Sequence, residues 1–209
     1  MSADGTIPEA RTSASTSSWY TPAAIVEAAR LALGGTIDLD PASCVFANRT
    51  VRARAIFTEE HELTDGLSEE NRWFGSVFLN PPSPPRPWWK KLRAEILSGH
   101  VGRAVFVGYS IETLQQFQDD QEWFDKWHWC IPAKRVKYET TSWERLRVLQ
   151  GRLNAGRSSP ALVKQIEALA KMGPSLVSGD APAHASVVFG YGLSLDTFER
   201  AFAAVGVCR

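Results

Sequence analysis

With 209 residues, of which 44% are hydrophobic and 22% charged, the chain has the size and composition of one folded domain with at most one insertion, which excludes a fibrous or wholly disordered protein. The balance of 23 Lys and Arg against 23 Asp and Glu excludes a binder that holds nucleic acid by bulk positive charge, but not one with a local basic face. No apolar run approaches the roughly 20 residues of a membrane span and the start lacks the apolar centre of a signal peptide, while Cys44, Cys130 and Cys208 form no CxxC pair, so a cytoplasmic protein with no membrane contact, disulfide framework or zinc site is expected.

Residues 1–18, rich in Ser, Thr and Ala, read as a mobile tail, and residues 19–209 as the folded domain. From Ala23 to Leu33 apolar residues recur at helical spacing, with Thr21 as cap, Pro22 in the first turn and Gly34-Gly35 as the stop. Thr36 to Leu39 is a short strand candidate running into Asp38-Leu39-Asp40-Pro41, where proline ends ladder pairing. Further strands are predicted at Ala53 to Phe57 and at Ser76 to Leu79, the latter leading into Asn80-Pro81-Pro82. A helix over Trp88 to Leu97, opened by Pro87, precedes a strand of the buried type at Arg103 to Gly108. Ile111 to Phe117 and Glu122 to Trp127 read as helical, His128 to Ile131 as extended, and His184 to Tyr191 followed by Leu195 to Val205 as strand then helix. This alternation predicts an α/β fold with a mostly parallel, doubly wound sheet.

The stretch 143–173 breaks the alternation with two helical segments separated by Gly156 to Pro160. It carries Arg145, Arg147, Arg152, Arg157, Lys164 and Lys171 against Glu144 and Glu167. A helical hairpin insertion is expected, its basic face either solvated or in contact with nucleic-acid phosphate.

In an open α/β sheet, ligands bind beyond the carboxyl ends of the strands. Three polar turns fall there: Asp38-Leu39-Asp40-Pro41, Asp65-Gly66-Leu67 and Asn80-Pro81-Pro82-Ser83. An Asp just past a strand, such as Asp40, either accepts sugar hydroxyls and steers an ammonium group or caps the following turn. In Asn-Pro-Pro, two prolines fix two φ angles and remove two amide donors, leaving the Asn80 side-chain oxygen and the Pro81 carbonyl as a rigid pair of acceptors. Such a pair can hold both N–H groups of an aromatic amine and aim its nitrogen at an electrophilic methyl group without a metal. The competing reading is a proline-rich turn or an extended PxxP ligand. His61 and His128 have no Ser or Cys partner at informative spacing, and the tryptophans read mainly as core.

The order of WYTP (Trp19 to Pro22), IDLDPAS (Ile37 to Ser43), an Asn and then FTEE (Phe57 to Glu60), DGL (Asp65 to Leu67), WFGSVFLNPP (Trp73 to Pro82) and WWKKL (Trp88 to Leu92) resembles the phage-type adenine-N6 DNA methyltransferases. The likeness continues through CIPAKRVKY (Cys130 to Tyr138), HASVVFGYG (His184 to Gly192) and the closing segment from Phe198 to Gly206, and so covers most of the chain from Trp19. It implies a Rossmann-like methyltransferase sheet, S-adenosylmethionine as donor, double-stranded DNA as partner and a target adenine flipped from the duplex. It also implies a phage or prophage gene acting in a bacterial cell. By matched position, Tyr20, Thr21 and Pro22 would contact the methionine end of the donor. Asp38, Asp40 and Pro41 would border its methionine and ribose parts, and Asp65 its adenine amine. Asn80 and Pro81 would hold the target amine, with Pro82 shaping the turn.

One departure stands out. That family places an aromatic residue, most often Tyr, directly after the two prolines to stack on the flipped base, and here the place is Ser83. Stacking contributes about 1 to 3 kcal/mol per base, so its loss is expected to weaken target binding by roughly tenfold or more unless Trp88 or Trp89 supplies another ring, although tryptophans at the start of a helix after a strand are more often core anchors. The departure also keeps open an acceptor in RNA or a protein glutamine amide, and a catalytically silent module that only binds donor or DNA.

Overall fold

The computed structural model describes residues 19–58, 65–108, 121–179 and 185–209. The tail expected over 1–18, Glu59, Glu60, His61, the helix expected over 111–117 and the start of the strand expected from His184 lie outside the described residues.

The first helical pattern becomes α1 (Ala23–Ala32), which buries Ile25, Val26, Ala28, Ala29 and Ala32. It begins at Ala23, where the apolar spacing begins, but its cap lies one residue later than Thr21. Pro22, at ψ 145°, is itself the capping residue, and its carbonyl receives the amides of Ile25 and Val26. Proline suits that place because it has no amide of its own to leave unpaired. Thr21 is thereby moved out of the capping position. Gly34 and Gly35, at φ 92° and 94°, end the helix in a conformation that a side chain would strain.

Asp38-Leu39-Asp40 enters the sheet as β1 (Leu39–Asp40), cut short by Pro41. A helix that the sequence pattern did not announce follows: α2 (Val45–Val51), capped by the Cys44 sulfur on the Ala47 amide and ended by Arg52 at φ 49°. Next come β2 (Ala55–Ile56), β3 (Gly75–Leu79), α3 (Arg86–Leu97) and β4 (Val101–Gly108). The helix expected from Glu122 to Trp127 is a single turn, α4 (Gln121–Phe124), and Trp127 already belongs to β5 (Trp127–Pro132). After the hairpin region come β8 (Val187–Tyr191), α7 (Leu195–Phe202) and a closing strand β9 (Gly206–Cys208).

Seven strands form one mixed sheet in the order β2-β1-β3-β4-β8-β5-β9. β2, β1, β3 and β4 pair in parallel; β8 runs against β4 and β5, and β9 against β5. Five of the seven strands therefore share one direction. The side chains alternate as the pleat requires. Phe78, Val105, Val107 and Val188 pack with α1 and α7 on one face. Val77, Leu79, Ala104, Phe106 and Phe189 pack with Trp88, Trp89 and Leu92 of α3 and with Trp123 on the other. Helices thus cover both faces. Among the described residues no helix is long and apolar enough to cross a membrane.

The expected insertion is a helical hairpin, α5 (Ser142–Asn154) and α6 (Pro160–Ala170), mounted on a two-stranded antiparallel ribbon of β6 (Glu139–Thr141) and β7 (Leu176–Ser178). A capping box between Thr141 and Glu144 starts α5, and Ser159 caps α6. Leu149 is buried in α5, whereas no residue of α6 is buried.

Candidate functional site

The chain passes from β1 to β2 on one side and, later, to β3 on the other. In a sheet ordered β2-β1-β3-β4, β1 and β3 flank the topological switch point, and in open α/β sheets ligands bind beyond the carboxyl ends of the strands at such a point. Pro41 leaves β1 and Asn80 leaves β3 at that edge. Two of the three polar turns found in the sequence are therefore neighbours in space.

The third turn joins them through a glycine. A Cβ on Gly66 would lie 1.9 Å from the Pro41 carbonyl oxygen and 2.9 Å from the Trp88 ring, so only glycine lets the Asp65 turn back onto the Pro41 turn. The Gly66 carbonyl accepts the Trp73 indole N–H at 2.9 Å, and Asp65 Oδ1 accepts the Leu67 amide at 2.8 Å. Lys91 donates to the Ser68 carbonyl and lies over the Trp73 ring. Burial pushes its ammonium pKa down, against the pull of Glu95, Asp65 and Glu69.

Asp40 is 3% exposed. Burial pushes its carboxyl up to about 7, opposed by the Ser43 hydroxyl and the Ala42 amide, the latter 3.2 Å from Oδ1. A buried carboxyl that titrates near neutral pH marks a candidate functional position. Asp38 is placed differently. Its Oδ2 accepts the Ser76 amide at 2.9 Å and its Oδ1 the Arg54 guanidinium at 3.1 Å. Ser76 lies four residues before Asn80, about 13 Å back along β3, so Asp38 latches β1 to the early part of β3 instead of bordering the switch point. Gly75 leaves room for that latch, since a Cβ there would meet the carboxylate at 2.5 Å.

The N-terminal segment closes the corner. Asn80 Nδ2 donates to the Trp19 carbonyl at 3.0 Å. Because a carbonyl can only accept, this bond fixes which end of the amide is nitrogen and presents Oδ1 as the acceptor. Tyr20 pairs through both backbone groups with Glu139, at 2.8 and 2.9 Å, and its hydroxyl lies 3.7 Å from the Cys44 sulfur. Thr21 is 6% exposed, and its Oγ1 has no hydrogen-bond partner among the described residues. An orphaned buried hydroxyl is costly unless a ligand satisfies it. Pro22, half-buried, starts α1 beside it.

Pro81 is buried, Pro82 half-buried and Ser83 exposed. The substitute ring is not found where it was sought. Trp88 and Trp89 are 3% and 5% exposed. Trp88 packs on Trp73, and Trp89 on Phe106, Trp123 and Trp127. They face the sheet because the i, i+1, i+4 pattern of Trp88, Trp89 and Leu92 is the apolar stripe of α3. His128 is structural, its Nε2 2.9 Å from the Leu193 carbonyl and its ring against Phe198. A separate cavity of about 310 Å³ opens at the end of β5 among Ile131, Pro132, Lys134, Val136 and Ser186; β4 and β8 lie between β5 and the strand that carries Asn80. Sequence reasoning missed Trp19 as part of the corner, since only its place in WYTP marked it.

Compared with protein-family models, curated proteins and solved structures, the chain matches none.

Proposed function

We propose that this chain is a Rossmann-like, S-adenosylmethionine-dependent methyltransferase acting on the exocyclic N6 amine of adenine in DNA. The observation that carries the reading is the convergence at the switch point. The Asn80 amide, oriented by the Trp19 carbonyl, stands across from the buried Asp40 turn. The orphaned Thr21 hydroxyl, the Asp40 carboxyl and the outer oxygen of Asp65 suit a ligand rich in hydroxyl and ammonium donors, and S-adenosylmethionine is such a molecule. When bound, it supplies a methyl group activated by a sulfonium centre.

The chain's own part is positioning. Asn80 Oδ1 and the Pro81 carbonyl accept the two amine N–H groups, which orients the adenine nitrogen and draws its electrons toward that atom. The nitrogen would take the methyl group as the methyl's bond to the sulfonium sulfur breaks, leaving the donor as a neutral thioether, and would release one proton to solvent. Pro81 and Pro82 hold the acceptors without amides that would compete for them. The exposed Ser83, carrying no ring, keeps RNA adenine or a glutamine amide as a second acceptor class and a silent binding module as a third reading.

Incubation with methyl-labelled donor and unmethylated duplex DNA, then digestion to nucleosides, is expected to give labelled N6-methyladenine. Label confined to RNA or protein would move the activity to the second class, and no label in any acceptor would leave a binding module. Asn80→Ala is expected to lower turnover by about a hundredfold or more while calorimetric donor affinity stays near that of the unaltered chain. An equal fall in both would overturn the role given to Asn80.

A further inference from the structure

We propose that Trp19 supplies the aromatic face on which the target adenine stacks, in place of a ring after Pro82. This inference rests on the methyltransferase reading above. A base held edge-on by Asn80 Oδ1 and the Pro81 carbonyl exposes its two faces beside those acceptors, and stacking needs a ring that rises there. Position 83 offers a hydroxymethyl group, and the rings of Trp88 and Trp89 are enclosed in the core. Phe74 is exposed but precedes β3, about 20 Å from Asn80 along the strand. Trp143 is exposed in the first turn of α5, beyond the ribbon strand β6. Trp19 is bonded to Asn80 itself, through its carbonyl at 3.0 Å.

The indole is also braced. Tyr138 meets it edge-on, with centroids 6.4 Å apart and planes at 77°, and Gly179 lies close enough that a Cβ there would come within 3.0 Å of the ring. The residue nevertheless remains 38% exposed, which leaves surface for a base to cover. A braced, partly open indole loses little conformational freedom on stacking, which is what a stacking platform requires.

The test uses the whole protein and a duplex with 2-aminopurine in place of the adenine that the protein methylates. This base fluoresces when it leaves the helix and is quenched when it stacks on a ring. We expect Trp19→Leu, which keeps an apolar contact with Tyr138 but has no π face, to bind donor as before. Its kcat/KM for DNA falls about tenfold or more, and its probe complex is brighter than that of the unaltered chain. Trp19→Phe restores most of both. Unchanged kcat/KM and brightness in Trp19→Leu would overturn the inference, as would a bright complex with the unaltered chain, which needs no variant to fold. An unaltered chain that methylates no DNA adenine would instead bring down the activity on which the inference stands.

Discussion

Asp40 is both a strand-end residue and a titrating group. With its carboxyl pushed from an ordinary value of 3.8 to about 7 by burial, the folded chain keeps a proton between those values that the unfolded chain has lost. Unfolding then releases a proton, so stability falls as pH rises from about 4 to 7, by at most about 1.4 kcal/mol per pH unit from this group, and levels off above 7. Asp40→Asn is expected to remove that slope, read as the difference between denaturant-unfolding curves of the two proteins from pH 4 to 8. Curves that run parallel across the range would contradict the burial-driven shift. Donor affinity should change in the opposite sense, rising with pH toward 7, because hydroxyl and ammonium groups bind best to the ionised carboxylate. Asp38, two residues earlier, has a different setting that the sequence does not distinguish. Both flank Leu39, but the partners that commit Asp38, Ser76 and Arg54, are distant in the chain and leave no local signature.

At the scale of elements, the ribbon connects the basic hairpin to the corner at Asn80. Tyr20 bridges to Glu139 at the start of β6, and the Gly179 amide donates to the Tyr138 carbonyl at the ribbon's foot. The ribbon that carries the hairpin is therefore paired to the segment whose carbonyl holds Asn80. Arg147, Arg157 and Lys164 are exposed on it. If these side chains meet DNA phosphate, replacing all three with Ala lowers the slope of log affinity against log salt by about 3, near one for each contact. A slope identical to that of the unaltered chain, measured by fluorescence anisotropy, would return the hairpin to a solvated role. The two helices were legible because their leucines recur at helical spacing and Gly156 to Pro160 separates them. β6, β7 and β9 were not, since three-residue strands draw their pairing from remote partners instead of from a pattern of their own. Trp127 fits a helix in sequence for a similar reason: an aromatic after Trp123 continues the i, i+4 stripe, but pairing with Tyr191 decides its state.

For the molecule as a whole, the α/β alternation and the strand-end positions of Pro41 and Asn80 could be read from the chain, because each depends on local pattern and on proline. The strand order could not, and it is the order that makes those turns neighbours. That arrangement has a global consequence. The turns sit on opposite sides of the pairing between β1 and β3, so a donor bound between them would tie the β2-β1 edge to the rest of the sheet. A ligand that binds only the folded state adds RT ln(1 + [L]/Kd), about 2.7 kcal/mol at a hundredfold excess over Kd. For a chain of this length that corresponds to an upward shift in Tm of roughly 5 to 10 °C. Sinefungin, a donor analogue that carries no methyl group to transfer, is expected to give such a shift in the unaltered chain, to give little in Asp40→Ala, and to give nearly the full shift in Asn80→Ala. A shift that disappears in Asn80→Ala and persists in Asp40→Ala would reverse the assignment of donor and acceptor sides. Absence of any shift at saturating analogue would remove the donor from the switch point altogether.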